Sequence, residues 1–265
     1  MHFKDHFSRL AAQYSAFRPT YPAAIFDYLA QVCDERQSAW DCACGNGQAA
    51  LALAERFEAV IATDASPQQI AVAPAHANVT YRVAPAEESG IEPMSVDLVT
   101  VAQALHWFDL DSFYGEVQRV LKPSGVLAVW TYGPLHVEGE GIDALFQEFY
   151  HDTVGPYWPP ERRLVEAGYR GLAFPFAEMP APPFNMEEQW DRAHLLGYLR
   201  TWSATARYVE AKGVDPVTVL EERLSPLWVD VHSTRSVTWP LALRVGHKRD
   251  VAMRLTDGAR DNVNG

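Results

Sequence analysis

"WDCACGNGQAALALA", residues 40–54, reads as an apolar strand running into a glycine turn and then into an alanine-rich helix. Such a junction presents backbone N–H groups and the positive end of a helix dipole to a ligand. Gly45 and Gly47 let that ligand lie against the main chain. Alone, the pattern indicates only a nucleotide-like partner. The spacing of Gly45, Gly47 and Ala50 satisfies the G-x-G-x-x-G/A dinucleotide fingerprint, so a nicotinamide oxidoreductase is one reading of the turn.

Outward from this turn, strand and helix alternate. "AWDCA" is followed by a helix from about Gly47 to Phe57, then strand "AVIAT", a helix from Pro67, strands "VTYRV" and "VDLVTVA", a helix from Ser112 to Leu121, and strand "VLAVW". Ser66, Pro67 and Gln69 form a capping box that sets the start of the second helix. This order predicts an α/β fold, a mostly parallel sheet with helices on both faces. Upstream, Phe3, Phe7, Leu10, Ala11 and Tyr14 recur at helical spacing before "FRPTYP", and Pro22 opens a helix carrying Ile25, Phe26, Leu29 and Val32. Downstream, Ile142, Leu145, Phe146, Phe149 and Tyr150 mark a helix that "YWPPER" breaks, and "LAFPFAE" reads as a strand. Residues 187–232 read as mostly helical, with Asp215 and Pro216 opening an amphipathic helix through Leu220, Leu224, Leu227, Trp228 and Val231. "SVTWPLALRV" alternates as a strand in which Pro240 removes one ladder donor.

The 265 residues carry a formal charge of −12, and no basic patch offsets it, which argues against nucleic acid and anionic membranes as partners. Cys33, Cys42 and Cys44 make no disulfide framework. Cys42 and Cys44 form a C-x-C with no matching pair nearby, so they read as small apolar fillers and no metal site is expected. The N-terminus lacks an apolar core of the secretory kind, and no stretch approaches the roughly 18 apolar residues of a membrane span; a cytoplasmic location is expected.

Two carboxylates refine the reading of the turn. Asp64, at the end of the second strand, can accept hydrogen bonds from both hydroxyls of a ribose, as either a nicotinamide or an adenosyl cofactor requires. Asp41 separates the two. A carboxylate gains nothing beside a pyrophosphate, whereas it attracts a cofactor bearing an ammonium and a sulfonium.

"DCACGNGQ", "IATDASPQQI", "APAEES", "VDLVTVAQALHWFD" and "LKPSGVLAVW" resemble, in order, the motifs of class I S-adenosylmethionine-dependent methyltransferases. The flanking "YSAFRPTYP" and "VTWPLALRVGHK" resemble the branch containing trans-aconitate methyltransferase. The resemblance implies a Rossmann-like seven-stranded sheet ordered 3-2-1-4-5-7-6, strand seven antiparallel, with a helical insertion. It also implies a single domain over 1–246: N-terminal helices and loop over the cofactor (1–36), cofactor core (37–131), helical cover with strand six (132–235), last strand (236–246), then a polar tail (247–265).

Carried over by position, S-adenosyl-L-methionine would meet Asp41 and the turn of Ala43, Gly45, Asn46 and Gly47 at its methionine part, Asp64 at the ribose and Ala65 beside the adenine. Ala86 would offer its N–H to the adenine ring and Glu87 its side chain to the exocyclic amine. Gln103 and Ala104 would line the methionine end, with His106 and Trp107 facing a small-molecule acceptor, for which the branch resemblance implies a carboxylic acid. Ala43 stands where the family usually has glycine, which a small residue tolerates with a negative φ. Pro85 stands where many members carry aspartate or serine.

Methyl transfer from a sulfonium needs alignment and exclusion of water, and no metal or covalent nucleophile. A carboxylate acceptor needs no base; for a hydroxyl or amine, His106 is the best-placed base, although a packed imidazole beside Trp107 is the commoner use of such a residue. Arg18 suits either a bidentate clamp on the methionine carboxylate or a solvated surface position, and Tyr14 either closure over the cofactor or core packing. Trp190, Tyr198, Trp202 and Tyr208 suit either a hydrophobic acceptor site or ordinary helix burial. Arg200 suits either an anionic acceptor or a surface ion pair.

Overall fold

The computed structural model describes residues 19–248. The helix expected over residues 3–14, with Tyr14 and Arg18, and the tail beyond Lys248 lie outside the described residues. The chain divides into two compact units. Among the described residues, one gathers Ala23–Thr131, Arg170–Pro182 and Leu243–Lys248; the other gathers Pro19–Pro22 with Tyr132–Tyr169 and Pro183–Ala242.

The first unit contains the alternating stretch. Its helices are α1 (Ala23–Val32), α2 (Gln48–Ala54), α3 (Pro67–Ala71) and α4 (Leu110–Val120), and its strands are β1 (Ser38–Cys42), β2 (Ala59–Asp64), β3 (Val79–Val83), β4 (Val96–Ala102) and β5 (Leu121–Tyr132). The strands lie in the order β3-β2-β1-β4-β5, followed by the last strand β9 (Arg235–His247), and the pairings β1–β2, β2–β3, β1–β4 and β4–β5 are all parallel. Trp40, Phe113 and Trp130 are fully buried at its core, with Phe26 edge-on to Trp130 at 6.1 Å. The expected Ser66 cap is in place: its hydroxyl accepts from the Gln69 N–H at 3.4 Å. β7 (Ala177–Met179) pairs antiparallel with the far end of β9. Of "LAFPFAE" only Ala177 and Glu178 pair, because Pro175 interrupts the ladder ahead of them.

In the second unit the N-terminal half of β9 pairs antiparallel with β6 (His136–Val137) and with β8 (Phe184–Trp190). The helices are α5 (Ile142–Glu148), α6 (Arg162–Glu166), α7 (Arg192–Arg200), α8 (Ser203–Lys212) and α9 (Pro216–Leu224). Trp190, Tyr198, Trp228 and Trp239 lie in one buried cluster of this unit.

Two expectations are corrected here. Residues 187–190 belong to β8 and not to a helix: Met186 and Trp190 are buried while Glu187 stays exposed, so pairing with β9 overrides the helix preference of "EEQ". The helix opened by Asp215 ends at Leu224 and does not reach Val231, because Pro226 has no N–H for the next helical bond and its ring clashes with the preceding turn. Nine strands occur among the described residues instead of seven, and the Rossmann-like class holds. No described helix is long and apolar enough to cross a membrane.

Candidate cofactor site

The C-terminal ends of β1, β2, β3 and β4 face one way, because all four strands are parallel. Chain order reverses beside β1, with β2 on one side and β4 on the other, and ligands of open α/β sheets bind at such a switch point. Asp41, the glycine turn, Asp64, the loop after β3 and Gln103–Trp107 all gather at these strand ends.

The turn is held by its neighbours on β2. Cys44 N–H donates to the Thr63 carbonyl at 2.9 Å, and Gly45 N–H donates to Asp64 Oδ2 at 2.9 Å. Ser66 N–H donates to Asp64 Oδ1 at 2.8 Å. Each carboxylate oxygen thus spends one lone pair on the backbone and keeps another. Burial pushes the Asp64 carboxyl up from its ordinary range, and these two amides oppose the shift.

Gly45 and Gly47 adopt φ of +57° and +89°. A Cβ on Gly47 would collide with the Tyr81 ring, with Cε1 at 2.9 Å. Ala43 departs from expectation: its φ is +54°, so this alanine sits in the left-handed region at a cost of roughly 1–2 kcal/mol. The tie between the turn and β2 fixes the backbone there whatever residue occupies position 43.

Asp41 is fully buried, in register with Ala62 on β2 and Thr100 on β4. Its Oδ1 accepts from Thr100 Oγ1 at 2.9 Å, while Oδ2 is buried with no partner at hydrogen-bond distance among the described residues. Burial pushes its carboxyl up to about 7, against the Thr100 hydroxyl and the Ala50 amide, which favour the ionised form. A buried acid with one unmatched oxygen suits a cationic ligand.

The loop after β3 carries Pro85, Ala86 and Glu87 and is anchored to α4 at two points. Glu87 Oε1 accepts from the Asp109 N–H at 3.2 Å. Further along, Ser89 N–H and Oγ–H both donate to Glu116 Oε1, at 2.9 and 2.5 Å. Arg119 closes the clamp with two donations to Glu116, each 2.7 Å, and one to the Ile91 carbonyl at 2.7 Å. These donors, Arg119 first, hold the Glu116 carboxyl down at about 2.

After β4, Gln103 takes φ of +58° while its N–H donates to the Trp130 carbonyl at 2.9 Å, and its side-chain carbonyl accepts from the Thr131 hydroxyl. Strain of this kind persists where surrounding bonds over-determine the backbone, often at binding sites. Ala104 is buried and leads into a short 3-10 turn, Leu105–Trp107. The rings of His106 and Trp107 lie 4.6 Å apart, and Trp107 is half-exposed.

The acceptor-side candidates belong to the second unit. Arg200 forms an ion pair with Asp215 at 2.8 Å, and Trp190 and Tyr198 are core residues 5.2 Å apart. Burial raises the Cys42 thiol well above its ordinary value. Thr100, Tyr81, Thr131 and the Ser89–Glu116–Arg119 clamp escape sequence reading. Thr100 becomes visible only once the β1–β4 register is known, and Tyr81 has no local signal at all.

A family model described as a methyltransferase domain matches residues 40–129. The chain is 33% identical over 225 residues to a Dictyostelium discoideum protein named as a methyltransferase, covering 84% of this chain and 86% of that one. It is 29% identical over 173 residues to a Saccharomyces cerevisiae protein named as an S-adenosylmethionine-dependent methyltransferase, covering 61% of this chain and 60% of that protein. A solved structure described as a type II methyltransferase from Anaeromyxobacter dehalogenans is 46% identical, with a TM-score of 0.84, covering 88% of this chain and 98% of that one.

Proposed function

The chain belongs to the class I S-adenosylmethionine-dependent methyltransferases, and from that premise we propose that it methylates a small molecule whose acceptor group is a carboxylic acid. The cofactor half of this reading is carried by one observation. Fully buried Asp41 has an unmatched oxygen beside a turn of left-handed residues that Asp64 holds open. The acceptor half is supported by the flanking stretches "YSAFRPTYP" and "VTWPLALRVGHK", which resemble those of the trans-aconitate branch.

S-adenosylmethionine supplies, when bound, a methyl group on a sulfonium whose leaving thioether is neutral. Asp41 would hold the cationic methionine end and Asp64 the ribose hydroxyls through its remaining lone pairs. Ala86 N–H and Glu87 would read the adenine edge from a loop already pinned to α4. Gln103 and Ala104 would line the methionine end, and Ala65 would lie beside the adenine. Trp107 would wall the acceptor. With a carboxylate acceptor the nucleophilic oxygen is already ionised, so His106 packs and orients instead of removing a proton.

Calorimetry with S-adenosylhomocysteine tests the cofactor half. Wild type should bind saturably, and Asp64→Ala should lose about tenfold or more, a lost hydrogen-bonded charge being worth roughly 1.5–3 kcal/mol. Undiminished binding by the variant would count against the assignment. The acceptor half is tested by methyl-transfer assays on matched acids, alcohols and amines; a turnover confined to alcohols or amines would reject it.

A further inference from the structure

The second unit contains a cavity of about 360 Å³ lined by residues from Tyr150 to Glu166. That volume lies in the range of small-ligand pockets, roughly 300–1,000 Å³. Tyr150 and His151 reach it from a π-helical turn, Phe149–Thr153, a wide-turn element that recurs at functional sites. Arg162 and Glu166 reach it from α6.

Arg162 is fixed in place but only partly satisfied. Its side chain is 18% exposed, its Nε donates to Tyr150 Oη at 2.7 Å, and its guanidinium carbon lies 4.6 Å from the Trp158 ring centroid and 5.4 Å from that of Tyr150. Tyr150 in turn donates to Glu166 Oε1 at 2.5 Å. Among the described residues no protein group meets the two terminal nitrogens of Arg162. A pre-oriented, largely buried guanidinium with its fork unmatched fits a carboxylate, which accepts two parallel N–H bonds. Glu166 does not fill that role, because its nearest oxygen stands 3.9 Å from Nε and is already taken by the Tyr150 hydroxyl.

The walls define the rest of the ligand. Trp158 is braced by Tyr150 and Trp202, each with ring centroids 5.4 Å away, so a rigid aromatic face adjoins the fork. Arg163 also lines the cavity, and against it stands the single carboxylate of Glu166. Two guanidinium groups and one carboxylate leave one positive charge, which balances a monoanion.

We infer that this cavity binds a compact organic monocarboxylate, with the terminal nitrogens of Arg162 taking the carboxylate and Trp158 and Tyr150 the flat apolar body. The site goes beyond methyl transfer and stands without it.

Saturation-transfer NMR and calorimetry on the full chain with benzoate, and with benzamide as the neutral shape control, decide the matter. Benzoate should bind saturably and benzamide about tenfold more weakly, as expected when charge-assisted bonds are lost. Arg162→Lys, which keeps the charge but loses the fork, should weaken benzoate about tenfold, and Arg162→Gln should abolish binding. S-adenosylhomocysteine affinity, measured in the same samples, should stay at the wild-type value and so report an intact fold. No saturation by wild type, equal affinity for the amide, or full benzoate binding by Arg162→Gln would each overturn the inference. Should Arg162→Gln fail to fold, the acid-amide comparison on wild type and the lysine variant still decide.

Discussion

Asp41 gives the sharpest residue-level expectation. Its folded pKa, about 7, lies above the ordinary 3.8, so between those values the folded chain holds a proton that the unfolded chain releases. Stability from this group is therefore greatest below that window, falls as pH rises through it, and is level above about 7. A cationic ligand favours the ionised form, so affinity for S-adenosylmethionine should rise with pH toward 7, by up to about tenfold per unit, and then level off. Isothermal titrations across this range should show the rise in wild type and a flat, weaker profile in Asp41→Asn. At Gly47 the Cβ of an alanine would strike the Tyr81 ring from a φ of +89°. Gly47→Ala should thus cost roughly 2 kcal/mol or more in urea unfolding and remove cofactor binding. That Asp41, Gly45, Gly47 and Asp64 meet around one turn was legible in the sequence because each lies within a few residues of a strand end. Thr100 and Tyr81 were not, since cross-strand register brings them to the turn. The negative φ expected of Ala43 failed for the same reason: bonds to β2 set its backbone, and local preference yields.

Among elements, the clamp between the loop after β3 and α4 carries the clearest consequence. Ser89 and Glu116 are buried, and the Arg119 fork completes the set. Glu116→Ala leaves the Ser89 donors unmatched, so a loss of roughly 2 kcal/mol in denaturant unfolding is expected, together with weaker S-adenosylhomocysteine binding through a displaced Ala86 and Glu87. Because the Glu116 carboxyl is held down at about 2, below the usual 4.5, the clamp's contribution is fully present above 4.5 and is lost as pH falls toward 2. The alternating strands and helices of the cofactor half were readable because local period, caps and burial agree there. β8 was not: Glu187, Glu188 and Gln189 favour helix, and only the opposite strand turns them extended. Pro226 was in plain view, yet the apolar period of Leu220, Leu224, Leu227 and Trp228 continues across it.

At the scale of the whole molecule, neither compact unit is a continuous piece of chain. The backbone passes from one to the other after Pro22, Thr131, Tyr169, Pro182 and Ala242. β9 contributes to both, pairing with β8 through Arg235–Leu241 and with β7 through Val245–His247. Scanning calorimetry should therefore show one cooperative transition; two well-separated peaks would contradict this expectation. Trp239→Ala, which empties a site packed by Trp190 at 5.0 Å and Tyr198 at 5.8 Å, should lower that single transition by roughly 3–5 kcal/mol. The methyltransferase family was legible because five motifs occur in order, whereas the partition into units depends on contacts that no local pattern announces. The shared strand also carries a cost during biosynthesis. On the ribosome, β5, β6, β7 and β8 wait with unpaired edges until residues 235–247 emerge, so a stalled or prematurely terminated product would present sticky edges to chaperones and proteases.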